Sequence, residues 1–531
     1  MTADESIASS ARGSAAPAGA QFRARALSLD ALRGFAILGM VLSSMLPYFH
    51  GALPPWMYHA QLPPPDNIPR PDIRGITWVD IVFPLFLFCM GAAIPLAFSA
   101  RMQDGASRWR LAMGILWRGI LLLFFSLYVR HLGSNTLQEV YGTPGYLLSM
   151  LAFLPLALIL TRLPESWPSA ARGSLHGLGW IGAAVLLLLL QFPGSGRFSL
   201  HRHDPIFAIL ANVAVTSAWV WLLFPYRIAT RVLLMALIVA IHFARQFSAW
   251  GLHYTELSAL RTVIGDRAAN ATFWLFDPTY QKYLLITIPG TIAGDMLLVW
   301  LRPAAQRLSF KIQHSRWREL SQVQCLCLAL VSAALAAAAT VGLTFNDVRT
   351  TASVVAPLLL LGLALLYGAP GRRKFRGSAV LRGQSRVPGL LFQRLFAWGT
   401  AWMILGLLML PYQGGIRHEP PTLSFFFITA GVATFLLIFF AVITEAFHRP
   451  GCLFLLIGNG QNPLIAYVAG SFVILPLLHL IPAGGDGSSV LEWLVAHSQQ
   501  PWPAFARAAG LTLLVAAFVQ IWTHLRLFWR A

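Results

Sequence analysis

"GITWVDIVFPLFLFCMGAAIPLAF", residues 75–98, holds one charged side chain, Asp80, in an otherwise apolar stretch. A helix needs roughly 20 apolar residues to cross the hydrocarbon core of a bilayer, and this stretch meets that length. Its residues do not alternate between polar and apolar as the strands of a membrane barrel require. The stretch therefore predicts a transmembrane helix with Asp80 near its start.

The rest of the chain repeats this pattern. Hydrophobic residues make up 57% of the sequence and charged residues 11%, whereas soluble proteins carry about 25% charged residues. The apolar segments predict an all-α, polytopic integral membrane protein with about 12 transmembrane helices, within a range of about 10 to 14. Arginines flank both ends of the apolar region, which predicts that both termini are cytoplasmic.

The basic residues lie in short segments between the apolar runs, although the formal net charge is +19. That distribution follows the positive-inside rule, so it indicates a lipid bilayer as the partner and no nucleic acid. The four cysteines lie in or beside apolar runs and predict no disulfide framework. "HRHD", residues 201–204, lacks a defined fourth ligand, so we expect no metal site there and no metal cofactor in the protein.

Residues 1–25 are polar and predict a disordered cytoplasmic tail, and residues 26–531 predict a single transmembrane domain. Two of the loops that this topology places outside are long enough to shape a substrate entrance, 49–77 and 244–281. The complete set of predicted external loops is 49–77, 131–143, 244–281 and 411–420.

The segment before the quoted helix contains His59 and seven prolines between residues 54 and 71. Each proline fixes its own φ angle, so the loop is stiff and can hold His59 in one place. The histidine is either an ordinary solvated side chain or a general base, since its pKa suits proton transfer near neutral pH. Thr77 and Asp80 have the spacing of a capping box, and the same carboxylate can also orient His59. The prolines predict that residues 60–76 fold back and bring His59 to Asp80.

Other polar residues in or beside apolar segments are candidate ligand contacts. Ser28 predicts a cap for the first helix, and Arg33 either anchors that helix at the interface or binds an anionic ligand. Arg118 lies inside the third apolar segment, where a charge is costly. The segment "IPGTIAGDML", residues 288–297, holds Gly290 and Gly294 at small-xxx-small spacing, which predicts close helix packing. Asp295 in the same segment is either functional or paired with an unidentified arginine. Asn462 is either a ligand contact in a broken helix, in "GNGQNP" at 458–463, or part of a simple loop.

The stretch "RALSLDALRGFAILGM", His59, the quoted helix, "GNGQNPLIAYV" and the closing "HLRLFWRA" together resemble the heparan-alpha-glucosaminide N-acetyltransferase family and its bacterial relatives. The resemblance is strong over about residues 25–100 and fair over 390–531. It implies transfer of an acetyl group from cytoplasmic acetyl-CoA to a sugar or glycan acceptor on the external side. The implied location is the inner (cytoplasmic) membrane.

The resemblance also assigns roles. His59 matches the catalytic histidine of the family, and Asp80 is expected to orient it. Ser43 and Ser44 stand where the family usually has an asparagine, and we expect them to contact substrate together with Arg33, Arg118, Asp295 and Asn462. A secondary transporter or flippase for a sugar or lipid-linked sugar is the alternative, because broken helices and intramembrane charges suit transport. Acceptor identity, N- or O-acetylation, direct transfer or an acetyl-histidine intermediate, and a homodimer are left open.

Overall fold

The computed structural model describes residues 25–48, 53–164, 166–194, 196–247, 265, 275, 277–301, 319–368, 387–483 and 487–530. The predicted tail, apart from Arg25, and most of the predicted loop 244–281 lie outside these residues. The regular secondary structure of the described chain is helical, apart from two short antiparallel strands and two isolated bridges. The strands are Glu319–Leu320 (β1) and Val387–Pro388 (β2). The predicted all-α class is confirmed.

The helices of the first half of the chain begin with the segment of residues 27–45 and include the quoted stretch. They are α1 (Leu27–Met45), α2 (Trp78–Gln103), α3 (Arg108–Leu132), α4 (Ser134–Tyr141), α5 (Pro144–Leu160), α6 (Ser169–Leu189), α7 (Pro205–Leu223), α8 (Ile228–Phe247) and α9 (Leu284–Leu301). Short 3₁₀ turns at Pro55–Met57 and Pro278–Tyr283 precede α2 and α9.

The second half of the chain is also helical. Its helices are α10 (Gln322–Thr344), α11 (Val348–Tyr367), α12 (Leu390–Met409), α13 (Leu423–Ala441), α14 (Phe454–Gln461), α15 (Pro463–Ala469), α16 (Leu475–Leu480), α17 (Val490–Ala496) and α18 (Pro501–His524). Single π-helical turns, Val442–Ala446 and Gly470–Ile474, follow α13 and join α15 to α16. Further 3₁₀ turns lie at Pro411–Gln413 and Pro450–Leu453.

Twelve helical segments in the described part of the chain are long and apolar enough to cross a membrane, and two shorter apolar helices accompany them. The predicted number of about 12 is therefore confirmed. The quoted helix lies at the centre: 72% of the most apolar stretch of α2 is buried inside the protein, against 11% for α6. The peripheral helices face lipid, whereas α2 is surrounded by other helices. Most side chains of α2 therefore contact other parts of the protein.

Helix α2 packs along α9, and small residues allow the two backbones to touch. A Cβ atom on Gly290 would collide with the backbone carbonyl of Phe88, and one on Gly294 with that of Ala92. Close approach through small residues is a usual device of helix packing in lipid, where apolar surfaces gain little from meeting each other. The spacing of these two glycines predicted this packing, and the structure confirms it.

Asp295 lies in α9 and is 2% exposed, but it has partners inside the protein. Its carboxylate forms an ion pair with the fully buried Arg231 of α8 and accepts a hydrogen bond from Trp221 Nε1 at 3.0 Å. Arg231 also donates to Thr291 Oγ1 at 2.8 Å. A charge at this depth needs such compensation. The arginine partner left open by the sequence is thus present and accounts for the buried charge. Contact of Asp295 with a ligand stays a prediction.

The first helix is not capped by Ser28. Helix α1 begins at Leu27, so Ser28 lies within its first turn. The N-cap residue is Ala26, whose side chain cannot cap the helix. The backbone N–H of Ser28 instead donates to Glu445 Oε1 at 3.0 Å, from the π-turn after α13. A carboxylate from a distant helix therefore satisfies a donor that local sequence could not identify.

The described ends of the chain meet at one face of the bundle. The Arg25 guanidinium lies 5.9 Å from the centre of the Phe528 ring, and Thr161, after α5, pairs with Trp529. We call this end, marked by Arg25, Arg101 and Arg530, the arginine face. Helix α2 runs from it across about 39 Å to the opposite end. Arg25 and Arg530 therefore lie at the same end of the bundle. The cytoplasmic placement of both termini stays a prediction.

Candidate active site

Asp80 occupies the first turn of α2 and is 1% exposed. Its Oδ2 atom accepts hydrogen bonds from the backbone N–H of Thr77 at 2.8 Å and of Ala60 at 3.2 Å. The first bond belongs to the predicted capping box, which is formed. The second comes from the proline-rich loop and binds the loop to the helix start. These two donors fix the carboxylate and leave Oδ1 directed elsewhere.

His59 lies against the other carboxylate oxygen, Asp80 Oδ1. Its Nδ1 is 2.7 Å from Asp80 Oδ1, and 30% of its side chain is exposed. Since a carboxylate only accepts hydrogen bonds, Nδ1 carries a proton, and in the neutral imidazole Nε2 then keeps a free lone pair. The structure brings together the two residues that the sequence singled out, by folding residues 60–76 back over the helix start. Their catalytic roles stay a prediction.

Gln61 holds this loop in place from inside. It is 2% exposed, and its Nε2 donates to the carbonyls of Ile73 and Gly75, each at 3.1 Å. Its Oε1 accepts the backbone N–H of His418 at 3.2 Å. One buried amide therefore connects both ends of the 61–75 segment to the loop after α12. The stiffness inferred from prolines rests as much on this side chain.

His418 is a second histidine of the site, and sequence reasoning missed it. Its Nδ1 lies 3.6 Å from Asp80 Oδ1, and its ring stacks on that of His59 at 5.3 Å and 17°. Burial lowers the pKa of His418 below its ordinary value, while the nearby Asp80 carboxylate opposes that effect. The available signal was a lone histidine in the predicted external loop 411–420, on the same side as His59. We call the end of the bundle that holds the two imidazoles the histidine face.

A cavity of about 480 Å³ opens at the other end of α2. Five arginines line it, and no acidic side chain of the described residues does. Its apolar wall includes Phe86 and Met90 of α2. We call this cavity the arginine pocket. Its lining arginines are Arg25, Arg33, Arg101, Arg118 and Arg530.

The two arginines that the sequence predicted as ligand contacts, Arg33 and Arg118, thus share one pocket. Arg33 also donates to the carbonyl of Gly460 at 3.0 Å, which fixes it between α1 and α14. Arg530 was not predicted, although it lies in the closing "HLRLFWRA". Burial, with the like charges of Arg162, Arg25 and Arg101, lowers the pKa of Arg530. Such crowding of cations attracts an anion.

The remaining predicted contacts do not line this pocket. The hydroxyls of Ser43 and Ser44 donate to carbonyls of their own helix, those of Met40 and Val41, both at 2.8 Å. They lie near the end of α1 that is remote from Arg25. Contact of either serine with substrate stays a prediction.

Asn462 lies in the break between α14 and α15, where the sequence predicted an interruption. Its amide is fully buried: Nδ2 donates to Thr523 Oγ1 at 2.9 Å and to the carbonyl of Leu527 at 3.2 Å, and Oδ1 accepts from the backbone N–H of Trp529 at 3.1 Å. These bonds hold the final segment against the bundle. Asn462 therefore positions the chain that carries Arg530 and does not itself face the cavity.

The fold and the two sites define a polytopic helical membrane protein with a His–Asp cluster at one end and an arginine pocket at the other. Residues 25–297 match the family described as "Domain of unknown function (DUF5009)". The chain belongs to this family, whose match covers α1 to α8, most of α9, and both Asp80 and His59.

Two curated proteins are also similar to the chain. The human heparan-alpha-glucosaminide N-acetyltransferase (Homo sapiens) is 29% identical over 203 residues, which cover 38% of this chain and 24% of the human protein. The mouse protein of the same name (Mus musculus) is 42% identical over 50 residues, 9% of this chain and 8% of its own length. The matched parts thus span about a quarter or less of these relatives. The predicted distant relationship is confirmed.

Proposed function

We propose that the protein is a transmembrane acetyltransferase that moves an acetyl group from cytoplasmic acetyl-CoA to a carbohydrate acceptor at the histidine face. The observation that carries the proposal is the placement of both sites on α2. The arginine pocket extends along α2 from Arg101 to Phe86, and Asp80 lies about 9 Å beyond Phe86, by the rise of a helix. A donor bound from one side can therefore present its acyl group to an acceptor from the other.

The arginine pocket suits coenzyme A. Its cations match the phosphates of the nucleotide, since guanidinium groups bind phosphate through paired hydrogen bonds. Its apolar wall on α2 suits the pantetheine arm that leads toward the thioester. A volume of about 480 Å³ falls within the usual range of small-molecule sites. The five arginines at this face support its assignment to the cytoplasm. We place the protein in the inner membrane as part of the same proposal.

His59 acts as the general base in this proposal. Its Nδ1–H is held by Asp80, so Nε2 accepts the proton of an acceptor amine or hydroxyl as that group attacks the thioester carbonyl. The carbon–sulfur bond breaks, and the coenzyme A thiolate takes up the proton from the imidazolium. Asp80 stabilises that imidazolium and keeps the ring oriented. We favour direct transfer, because one site reached from both faces needs no acetyl-histidine intermediate.

The test uses purified protein in detergent. Substitution His59→Ala should lower acetyl transfer to a sugar acceptor by about 10² to 10⁴, while the affinity for acetyl-CoA, measured by calorimetry, stays within about twofold, since His59 lies outside the arginine pocket. His497→Ala, an exposed histidine of the loop after α17, is the matched control and should change neither quantity. Full activity of His59→Ala, or no binding of acetyl-CoA by the native chain, would sink the proposal.

The transporter alternative keeps one supporting observation, the broken helix between α14 and α15. It loses another, because Asp295 is neutralised by Arg231. Reconstituted vesicles discriminate the two: sugar uptake without acetyl-CoA would favour transport, whereas acetylated sugar formed only with acetyl-CoA on the opposite side favours the enzyme.

A further inference from the structure

His59, Asp80 and His418 bring three metal-ligand atoms within 4.8 Å of one another. They come from three separate parts of the chain: the proline-rich loop, the first turn of α2, and the loop between α12 and α13. Two imidazole nitrogens and one carboxylate oxygen are the donor types that Zn²⁺ takes in proteins. The "HRHD" segment offers no equal, since Asp204 caps α7 through the N–H groups of Ile206 and Phe207.

The carboxylate at the centre is already oriented for one metal bond. Asp80 Oδ2 is occupied by the N–H groups of Thr77 and Ala60, so Oδ1 alone faces the imidazoles. Both Nδ1 atoms point to that oxygen, at 2.7 Å from His59 and 3.6 Å from His418. Outer hydrogen bonds of this kind orient metal ligands and raise affinity about 10- to 100-fold.

The spacing fits a small divalent cation. Bonds of about 2.0–2.1 Å in a tetrahedral arrangement place ligand atoms about 3.3 Å apart, between the two distances observed to Asp80 Oδ1. The three ligand atoms lie within 4.8 Å of one another, so binding of the ion would draw the imidazoles closer to that spacing. The imidazoles are 30% and 21% exposed, so an ion from the outer solution can reach them and a fourth position is open to water.

We propose that His59, Asp80 and His418 form a site for Zn²⁺ at the histidine face, and that the ion and acyl transfer compete for His59. The second half rests on the proposed function. With Zn²⁺ on Nδ1, the proton that this atom donated to Asp80 is held at Nε2 instead, since a neutral imidazole carries one N–H. The lone pair that the base reaction uses is then absent, without any net gain or loss of protons. Zinc on the external side of the membrane would thus inhibit the enzyme reversibly.

The first experiment measures metal binding alone, by calorimetric titration of chelator-treated protein in detergent with ZnCl₂. One Zn²⁺ per chain should bind to the native protein, and His418→Gln should weaken binding by at least about 100-fold, more than a lost outer contact does. His418→Cys should retain tight binding, because a thiolate replaces the lost ligand. His497→Gln, the exposed control, should bind as the native chain does.

The outcomes separate the metal site from the activity. Absence of a stoichiometric Zn²⁺, or equal affinity of the native chain and His418→Gln, overturns the metal site. If both His418→Gln and His418→Cys lose binding but remain folded by circular dichroism, His418 is structural and the assignment is also overturned. Zinc bound at the site without any inhibition of transfer overturns the competition. Zinc binding with no acetyl transfer under any metal condition would refute the proposed function and leave the site intact.

Discussion

Asp80 combines two tasks within one side chain, as helix cap and as partner of His59. Its Oδ2 takes the backbone donors of the helix start and the loop, and its Oδ1 takes the imidazole. The division into two oxygens explains why the capping interpretation and the functional interpretation, both open in the sequence, are compatible. An asparagine could not accept hydrogen bonds from both the backbone N–H groups and the imidazole N–H, since its amide has one acceptor oxygen and one donor NH2 group.

Substitution Asp80→Asn should therefore lower acetyl transfer by about 10² to 10⁴, because the imidazole loses both its orientation and its stabilised cation. Binding of acetyl-CoA should persist, since Asp80 does not line the arginine pocket. Initial rates and calorimetry on the purified variant check both expectations. Thr77→Ser, which keeps a capping hydroxyl, is the control for the helix start. Unchanged rates for Asp80→Asn would show that the carboxylate is a cap alone.

The Arg231–Asp295 pair gives a prediction about stability. Asp295→Asn should destabilise the protein by about 3–5 kcal/mol, because the buried Arg231 loses its counter-charge. The double variant Arg231→Met/Asp295→Leu should recover most of that loss, since it buries no charge. Thermal unfolding in detergent measures both. If Asp295→Asn unfolds like the native chain but no longer binds acetyl-CoA, Asp295 is a ligand contact after all.

At the scale of elements, the contact of α2 with α9 sets the position of the site. The glycines of α9 let its backbone lie directly on α2, and α2 in turn carries Asp80 at one end and the wall of the arginine pocket at the other. A shift of α2 would therefore disturb both sites together. The packing of α2 against α9 therefore determines the geometry of both sites.

Substitution Gly294→Leu should push α2 and α9 apart and destabilise the fold by about 1–3 kcal/mol or more, the usual cost of overpacking. Both the acetyl-CoA affinity and the transfer rate should fall, because both sites share α2. The control is Gly114→Leu on α3, where an added Cβ meets nothing within 4 Å. Thermal unfolding compares the two variants. Equal stability would mean that the α2–α9 contact is looser than the structure indicates.

At the scale of the whole molecule, the arginine pocket and the imidazole cluster lie at opposite ends of α2. The arginine pocket gathers side chains from both ends of the chain, from α2 and from α3. The opposite end holds the two histidines, and α2 joins them. A protein built in this way suits the passage of a chemical group between two compartments. The homodimer left open by the sequence stays a prediction.

Removal of one pocket charge should weaken the donor complex selectively. Arg530→Gln should lower the affinity for acetyl-CoA by roughly 10- to 150-fold, the equivalent of about 1.5–3 kcal/mol for a hydrogen bond to a charged group. The loss should shrink as salt is added, because screening weakens what the arginine contributes. Arg349→Gln, an exposed arginine at the start of α11, is the matched control. Calorimetry at two salt concentrations measures the effect, and equal affinities of the two variants would contradict a phosphate role for the pocket.

The sequence alone determined the features that depend on neighbours along one helix. The length of the apolar runs predicted the all-α membrane fold and about 12 spans, the Thr77–Asp80 spacing predicted the cap, and the spacing of Gly290 and Gly294 predicted a close helix contact. These succeed because the rise and the turn of a helix convert sequence spacing directly into geometry. The prediction of His59 beside Asp80 came from stiff local chain joined to a family resemblance.

Only the tertiary structure decided which distant residues meet. His418 joins the His–Asp cluster from a loop more than 300 residues along the chain, Arg231 neutralises Asp295, and Arg530 enters a pocket with Arg25. Local patterns carry no information about such pairs, because they depend on which helices become neighbours when the bundle packs. The sequence thus settled what crosses the membrane, and the packing of helices settled which charges face one another at its two ends.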